Sequence, residues 1–199
     1  MKSVKGNREQ ATASQVQTYV IATSREWNEG MPVKLAHDCE LTFELITDKS
    51  QLTIPRLDEI RPRFIFFPHW SYIIPEKIFS RYECVIFHMT DLPFGRGGSP
   101  LQNLISRGHT ETLITALRCV KELDGGPIYM KRPLSLNGTA EEIYLRASRE
   151  IELMIKEMIQ VEPTPEPQTG EPVIFRRRTP DQSEITDQVG LVSLFDHFF

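Results

Sequence analysis

Apolar residues recur along most of the chain in short runs of four to six, bounded by proline, glycine or clusters of polar residues. That length and spacing predict strands. They cover Thr18 to Ala22 (TYVIA), Leu41 to Ile46, Arg63 to Phe67 between Pro62 and Pro68, Cys84 to Phe87, Thr112 to Val120 and Gly126 to Leu136. Between them the pattern predicts helices: Ile54 to Ile60, a turn and short helix after Pro68, and a helix with Ser99, Pro100 and Gln102 as N-cap, N1 and N3 that stops at Gly108. The most regular helical stretch is Thr139 to Ile159. Thr139 and Glu142 form a capping box, and Ile143, Ala147, Ile151, Met154, Ile155 and Met158 share one face. Strands alternating with helices predict an α/β architecture with a mostly parallel sheet.

The pattern breaks at both ends. Residues 1–15 are polar and expected to be disordered; Val161 to Pro172 (VEPTPEPQTGEP) reads as a proline-rich linker between an α/β domain over 1–160 and an extension over 173–199. In the extension Leu191, Leu194, Phe195 and Phe198 could line one helix face, expected to be the cut end of a longer chain or a surface for a second copy, hence a homodimer. With 199 residues, 40% of them hydrophobic, the chain can bury one substantial core. A net charge of −4 gives no general attraction to nucleic acid. Cys39, Cys84 and Cys119 are odd in number and scattered, which points to reduced thiols in the cytoplasm, and they show no metal-ligand spacing. No run reaches the roughly 20 apolar residues of a membrane span.

The densest candidate chemistry lies in ECVIFHMTDLPFGRGGSPLQN, Glu83 to Asn103. Here a buried strand delivers His88 to a sheet edge and a glycine-rich loop follows; ligands of open α/β sheets bind at such carboxyl ends. Asp124, in the turn ELDGG, also follows a strand and could meet His88 at the same end. A carboxylate beside an imidazole orients it and favours its protonated form, which can stabilise an oxyanion. Taken alone, each has an ordinary alternative, a strand-end histidine and a turn aspartate. The loop after the first strand, TSREWNEG, lacks GxGxxG, so a nicotinamide or flavin site has no fingerprint there.

The run His88 to Gln102, HMTDLPFGRGGSPLQ, resembles the H-x-S-x-L-P-x-x-x-G-x-x-P-x-Q signature of the folate-dependent formyltransferases, a family that includes methionyl-tRNA, glycinamide ribonucleotide and amino-sugar enzymes. Ser71 to Pro75 (SYIIP), Glu122 to Ile128 (ELDGGPI) and Arg177 to Asp181 (RRTPD) resemble further elements of that family, in the same order. The resemblance implies a Rossmann-like sheet and formyl transfer from N10-formyltetrahydrofolate, with His88 and Asp124 catalytic and no metal. It implies folate contacts from Trp70, Tyr72, Ile73, Ile74 and Asp124. The family's Asn-x-His motif has Ile86 in place of its asparagine here. Asn103 and the backbone N–H groups of Gly97 and Gly98 are candidates for the lost oxyanion donor, and Asp91 for holding a substrate ammonium.

For the acceptor, Arg96 with Arg176, Arg177 and Arg178 could clamp a phosphate. The resemblance implies that members acting on methionyl-tRNA carry a further C-terminal domain and basic surface, so the expected acceptor is a nucleotide-linked amino sugar, its phosphate meeting these arginines, in surface-glycan synthesis. Two other classes stay open: a formyltetrahydrofolate hydrolase, and a folate or sugar-nucleotide binding protein without turnover. The expected partners are small molecules, with no nucleic acid and no membrane.

Overall fold

A computed structural model of the chain describes residues 17–183. The leader and the apolar tail face discussed above lie outside them. The strands are β1 (Thr18–Ala22), β2 (Thr42–Ile46), β3 (Ile65–Phe67), β4 (Cys84–His88), β5 (Phe94–Gly97), β6 (Glu111–Arg118), β7 (Ile128–Ser135) and β8 (Val173–Phe175). The main sheet has the order β2-β1-β3-β4-β6-β7. The β1–β2, β1–β3 and β3–β4 pairs are parallel, and β6 runs antiparallel to both neighbours, so five of the six strands point one way. Five helices accompany them: α1 (Met31–Cys39), α2 (Ile54–Ile60), α3 (Glu76–Phe79), α4 (Pro100–Ile105) and α5 (Ala140–Val161).

The central strands are covered on both faces, and their period of two divides the core. Tyr19, Ile21, Phe64, Phe66 and Val85 pack on the face covered by α1 and α5, while Val20, Ala22, Ile65, Phe67 and Cys84 pack on the other, against Leu57 of α2 and Ile78 of α3. On α5 the six apolar residues expected to share a face are all fully buried. Its N-terminus is capped as expected: Glu142 N–H donates to Thr139 Oγ1 at 3.3 Å, and Glu142 Oε2 accepts from Thr139 N–H at 2.8 Å.

Three features depart from the sequence expectations. Met31–Cys39 is a helix that the apolar pattern does not reveal, because only Met31, Pro32 and Leu35 are buried and Val33 faces solvent. Ser99 occupies the expected N-cap position, but its backbone is left-handed (φ 51°) and its hydroxyl accepts from Arg178 N–H instead of capping α4. Residues 162–172, expected as a free linker, lie along the core: Glu166 exchanges backbone hydrogen bonds with Ile128, and the chain continues into β8, which pairs with β5 and buries Phe175. Glycine-rich sequence concealed β5, and three residues are too few for β8 to show a pattern.

Candidate active site

His88 ends β4 and Asp124 sits in the turn after β6, and the two side chains meet, both largely buried. The His88 Nε2 lies 2.8 Å from the Gly95 carbonyl oxygen. A carbonyl only accepts, so Nε2 carries a hydrogen and Nδ1 is left as the basic nitrogen. Nδ1 stands 3.6 Å from Asp124 Oδ2, near enough for charge pairing and longer than a good hydrogen bond. Asp124 Oδ2 also accepts the Gly97 N–H at 2.9 Å.

The turn that delivers Asp124 is fixed by its neighbours. Asp124 itself has φ 51°, and a Cβ on Gly126 would lie 1.8 Å from the Arg118 carbonyl oxygen, so only glycine fits there. Gln168, from the segment expected as a linker, donates to the carbonyls of Asp124 and Gly126 at 2.7 and 2.8 Å. Its Oε1 accepts from Arg96, whose other contact is Glu122 Oε1 at 2.5 Å. The strap from Pro163 to Phe175 thus braces the turn that carries Asp124.

This corrects several expected roles. Arg96 is buried and committed to Glu122 and Gln168, so it joins turn to strap and is not a free phosphate clamp. Gly97 N–H is taken by Asp124 and Gly98 N–H by Phe175 O at 3.1 Å, which removes both as oxyanion donors. The Asn103 amide donates to the carbonyls of Gly98, Ser99 and Arg176, and its oxygen accepts from Arg107; it staples the glycine loop to the returning chain. Asp91 pairs with Lys131 at 2.5 Å and lines a different cavity, against the strap, that excludes His88.

His88 and Asp124 open instead into a cleft of about 640 Å³. Trp70, Tyr72, Ile73 and Ile74, the residues expected to contact folate, line this cleft with Ile86 and Leu123. Ile73 and Leu123 are 84% and 62% exposed, an apolar rim suited to the face of a flat heterocycle. Cys119 also lines this cleft; burial first, and the Asp124 charge second, push its thiol up to about 11. Among the described residues no group of three His, Cys, Asp or Glu side chains could hold a metal ion, and no helix is long and apolar enough to cross a membrane.

Sequence reasoning missed Arg25, His69, Lys121 and Tyr144 in the lining; Arg177, expected as a phosphate-clamp candidate and as part of the RRTPD element, lines the cleft too. His69 has a left-handed backbone, φ 50°, and its Nε2 lies 3.1 Å from Ser148 Oγ. Burial, and secondarily Arg25, lower its pKa to about 4, so the ring is neutral at pH 7. The only sequence signal for it was its place between a strand end and the SYIIP turn.

No family model matches the chain. It is 47% identical to a solved methionyl-tRNA formyltransferase from Clostridium thermocellum, with a TM-score of 0.87, covering 91% of this chain and 81% of that one. It is 36% identical over 112 residues to the methionyl-tRNA formyltransferase of Thermotoga maritima, a match spanning 53% of this chain and 35% of the relative's length. The chain thus spans about a third of that curated relative. At the level of fold alone it is similar to the formyltransferase PseJ from Anoxybacillus kamchatkensis, solved with UDP-4,6-dideoxy-4-formamido-L-AltNAc and tetrahydrofolate (20% identity, TM-score 0.62, covering 79% of this chain and 85% of that one). Identity and coverage against the Clostridium protein, together with the shared fold, establish that the chain belongs to the folate-dependent formyltransferase family.

Proposed function

We propose that the chain transfers a formyl group from N10-formyltetrahydrofolate to the amine of an amino sugar carrying a nucleotide. The observation that carries the transfer is the meeting of His88 and Asp124 in the cleft lined by Trp70 to Ile74. The pterin lies on that apolar and aromatic wall, and the unpaired Lys121 suits the folate carboxylates. The acceptor nitrogen attacks the formyl carbon as a neutral amine, forming a C–N bond and a tetrahedral oxyanion. Protonated at Nδ1, His88 donates to that oxygen, while its Nε2–H stays anchored on Gly95. Asp124 stabilises the imidazolium and accepts the amine proton, directly or through water. Collapse of the intermediate breaks the bond to N10, which leaves with the proton that Asp124 took from the amine.

An acceptor with phosphates is supported by Arg25 and Arg177 at the cleft, and PseJ holds a sugar nucleotide beside its folate on the same fold. Identity of 47% to a methionyl-tRNA formyltransferase supports a second reading, in which the amine belongs to methionyl-tRNA. A coupled assay of tetrahydrofolate release from 10-formyltetrahydrofolate separates them. Release that requires a nucleotide-linked amino sugar and vanishes in His88→Ala and Asp124→Ala supports the proposal. Release that requires methionyl-tRNA assigns the second reading, and release without acceptor makes the chain a hydrolase.

The proposal includes a cytoplasmic setting, in keeping with free Cys39, Cys84 and Cys119, and a homodimer. Light scattering that gives a monomer at micromolar concentration removes the dimer.

A further inference from the structure

We propose that Arg25, His69, Tyr144 and Arg177 form the wall that selects the acceptor, recognising a phosphate group and the ring beside it. This deepens the formyl-transfer reading and rests on it. All four line the cleft that holds His88, yet they come from the loop after β1, the loop after β3, the helix α5 and the segment after β8.

Charge is the first argument. Nine of the twenty arginines and lysines among the described residues sit in ion pairs; Arg25, Lys121 and Arg177, all lining the cleft, have no carboxylate partner among the described residues. The one carboxylate lining the cleft, Asp124, is engaged by His88 and by Gly97 N–H. Within a chain of net charge −4 this cleft therefore carries uncompensated positive charge, which suits an anion. Arginine is the residue best matched to phosphate oxygens.

Order is the second. The Arg25 guanidinium lies 5.6 Å from the Trp27 ring centre, and the Trp27 ring stands 6.4 Å from His69 and 6.2 Å from Tyr144. His69 and Tyr144 are edge to face at 5.6 Å, and Ser148 of α5 holds the His69 ring. Ser24 Oγ accepts Ser71 N–H at 3.0 Å, tying the Arg25 loop to the loop that carries His69. The chain thus fixes a guanidinium and two ring edges in one place, with His69 in a backbone region that side-chain-bearing residues seldom occupy. Packing alone would not call for a histidine there, and strained residues of this kind gather at ligand sites. A neutral imidazole and a phenol offer hydrogen bonds and a flat face to a sugar or base without repelling the arginines' anion.

The test is calorimetric titration of the intact chain with the diphosphates of uridine, thymidine, cytidine, guanosine and adenosine. A CCA-ended RNA hairpin serves as a second arm, and tetrahydrofolate is titrated separately. At least one phosphate probe should bind, its Kd rising about tenfold in Arg25→Ala and in Arg177→Ala and severalfold in His69→Asn, whose side chain tolerates the left-handed backbone. Lys77→Ala, a surface cation outside the cleft, should leave it unchanged, and all variants should keep wild-type affinity for tetrahydrofolate. Preference for a free diphosphate or for the hairpin tells which source the phosphate comes from, and either supports the wall. Failure of all probes to bind a chain that binds tetrahydrofolate overturns it, as does binding indifferent to Arg25 and Arg177. A chain that binds phosphate through Arg25 but not tetrahydrofolate overturns the formyl-transfer reading and keeps the wall.

Discussion

One wall of the cleft, Trp70 to Ile74, is five consecutive residues, whereas the other gathers Arg25, His69, Tyr144 and Arg177 from four places in the chain. The contiguous wall is largely apolar and carried by one loop, with Trp70 and Ile74 packed on the core and Ser71 N–H donating to Ser24 Oγ. The assembled wall is cationic and aromatic, and it exists only when the β1 loop, α5 and the chain beyond β8 are all in place. We read the difference as a division of labour: a contiguous surface for the common donor and an assembled one for the acceptor. His88 and Asp124 line the same cleft as both sets of residues.

Breaking that pair should have the largest effect. His88→Ala or Asp124→Ala should lower kcat by about 10²- to 10⁴-fold with both KM values little changed, read by steady-state kinetics against donor and acceptor separately. A large rise in only one KM would place the residue on a wall instead of at the reaction centre.

Ile86 tests whether the reaction centre lacks a donor. Since Gly97, Gly98 and Asn103 are all committed elsewhere, Ile86→Asn should supply an amide to the oxyanion and raise kcat by about tenfold or more, within the 10²- to 10³-fold worth of one such donor. A fall in kcat with an unchanged melting temperature would show that the site has adapted to the apolar residue.

The strap can be loosened without touching either wall's side chains. A Cβ on Gly97 would lie 2.4 Å from the Phe175 carbonyl oxygen and the residue has φ 106°, so Gly97→Ala should destabilise by about 2–4 kcal/mol. Denaturant unfolding checks this; unchanged stability would mean that β5 and β8 separate freely.

The two walls should also separate kinetically. Leu123→Ala removes apolar rim and should raise the folate KM by about threefold to tenfold while sparing the acceptor KM.

The mildest perturbation is pH. His69 has a folded pKa of about 4 against an ordinary 6.5, so between these values the unfolded chain binds more protons. Its contribution is therefore complete above about pH 6.5 and lost as pH falls toward 4, a change of roughly 3 kcal/mol in full. Only a fraction is gone at pH 6, and His69→Asn should flatten this part of the profile in urea titrations. An unaltered slope would mean that the ring is solvated.

The same contrast governs what could be read from the chain. The short apolar runs of β1, β3 and β4 and the helical face of α5 were legible because each is a local pattern, and His88, Asp124 and the Trp70 segment were legible because they lie in contiguous motifs. Arg96 and Asn103 were misassigned for a physical reason: their type announces polar chemistry, but whether a donor is free depends on distant carbonyls and on Gln168, which no local pattern shows. Asp91 was misassigned likewise, since Lys131 neutralises it across the fold. Of the assembled wall only Arg177 was legible, through the RRTPD element; Arg25, His69 and Tyr144 belong to no motif and meet only in the fold.

The most direct test of the two-walled cleft is a crystal structure with tetrahydrofolate and a tightly bound nucleoside diphosphate together. The account predicts the pterin against Trp70 to Ile74, the phosphates between Arg25 and Arg177, and His88 Nδ1 facing the gap between the ligands. A diphosphate in the Asp91 cavity, or a folate lying along Arg25 and Tyr144, would contradict it.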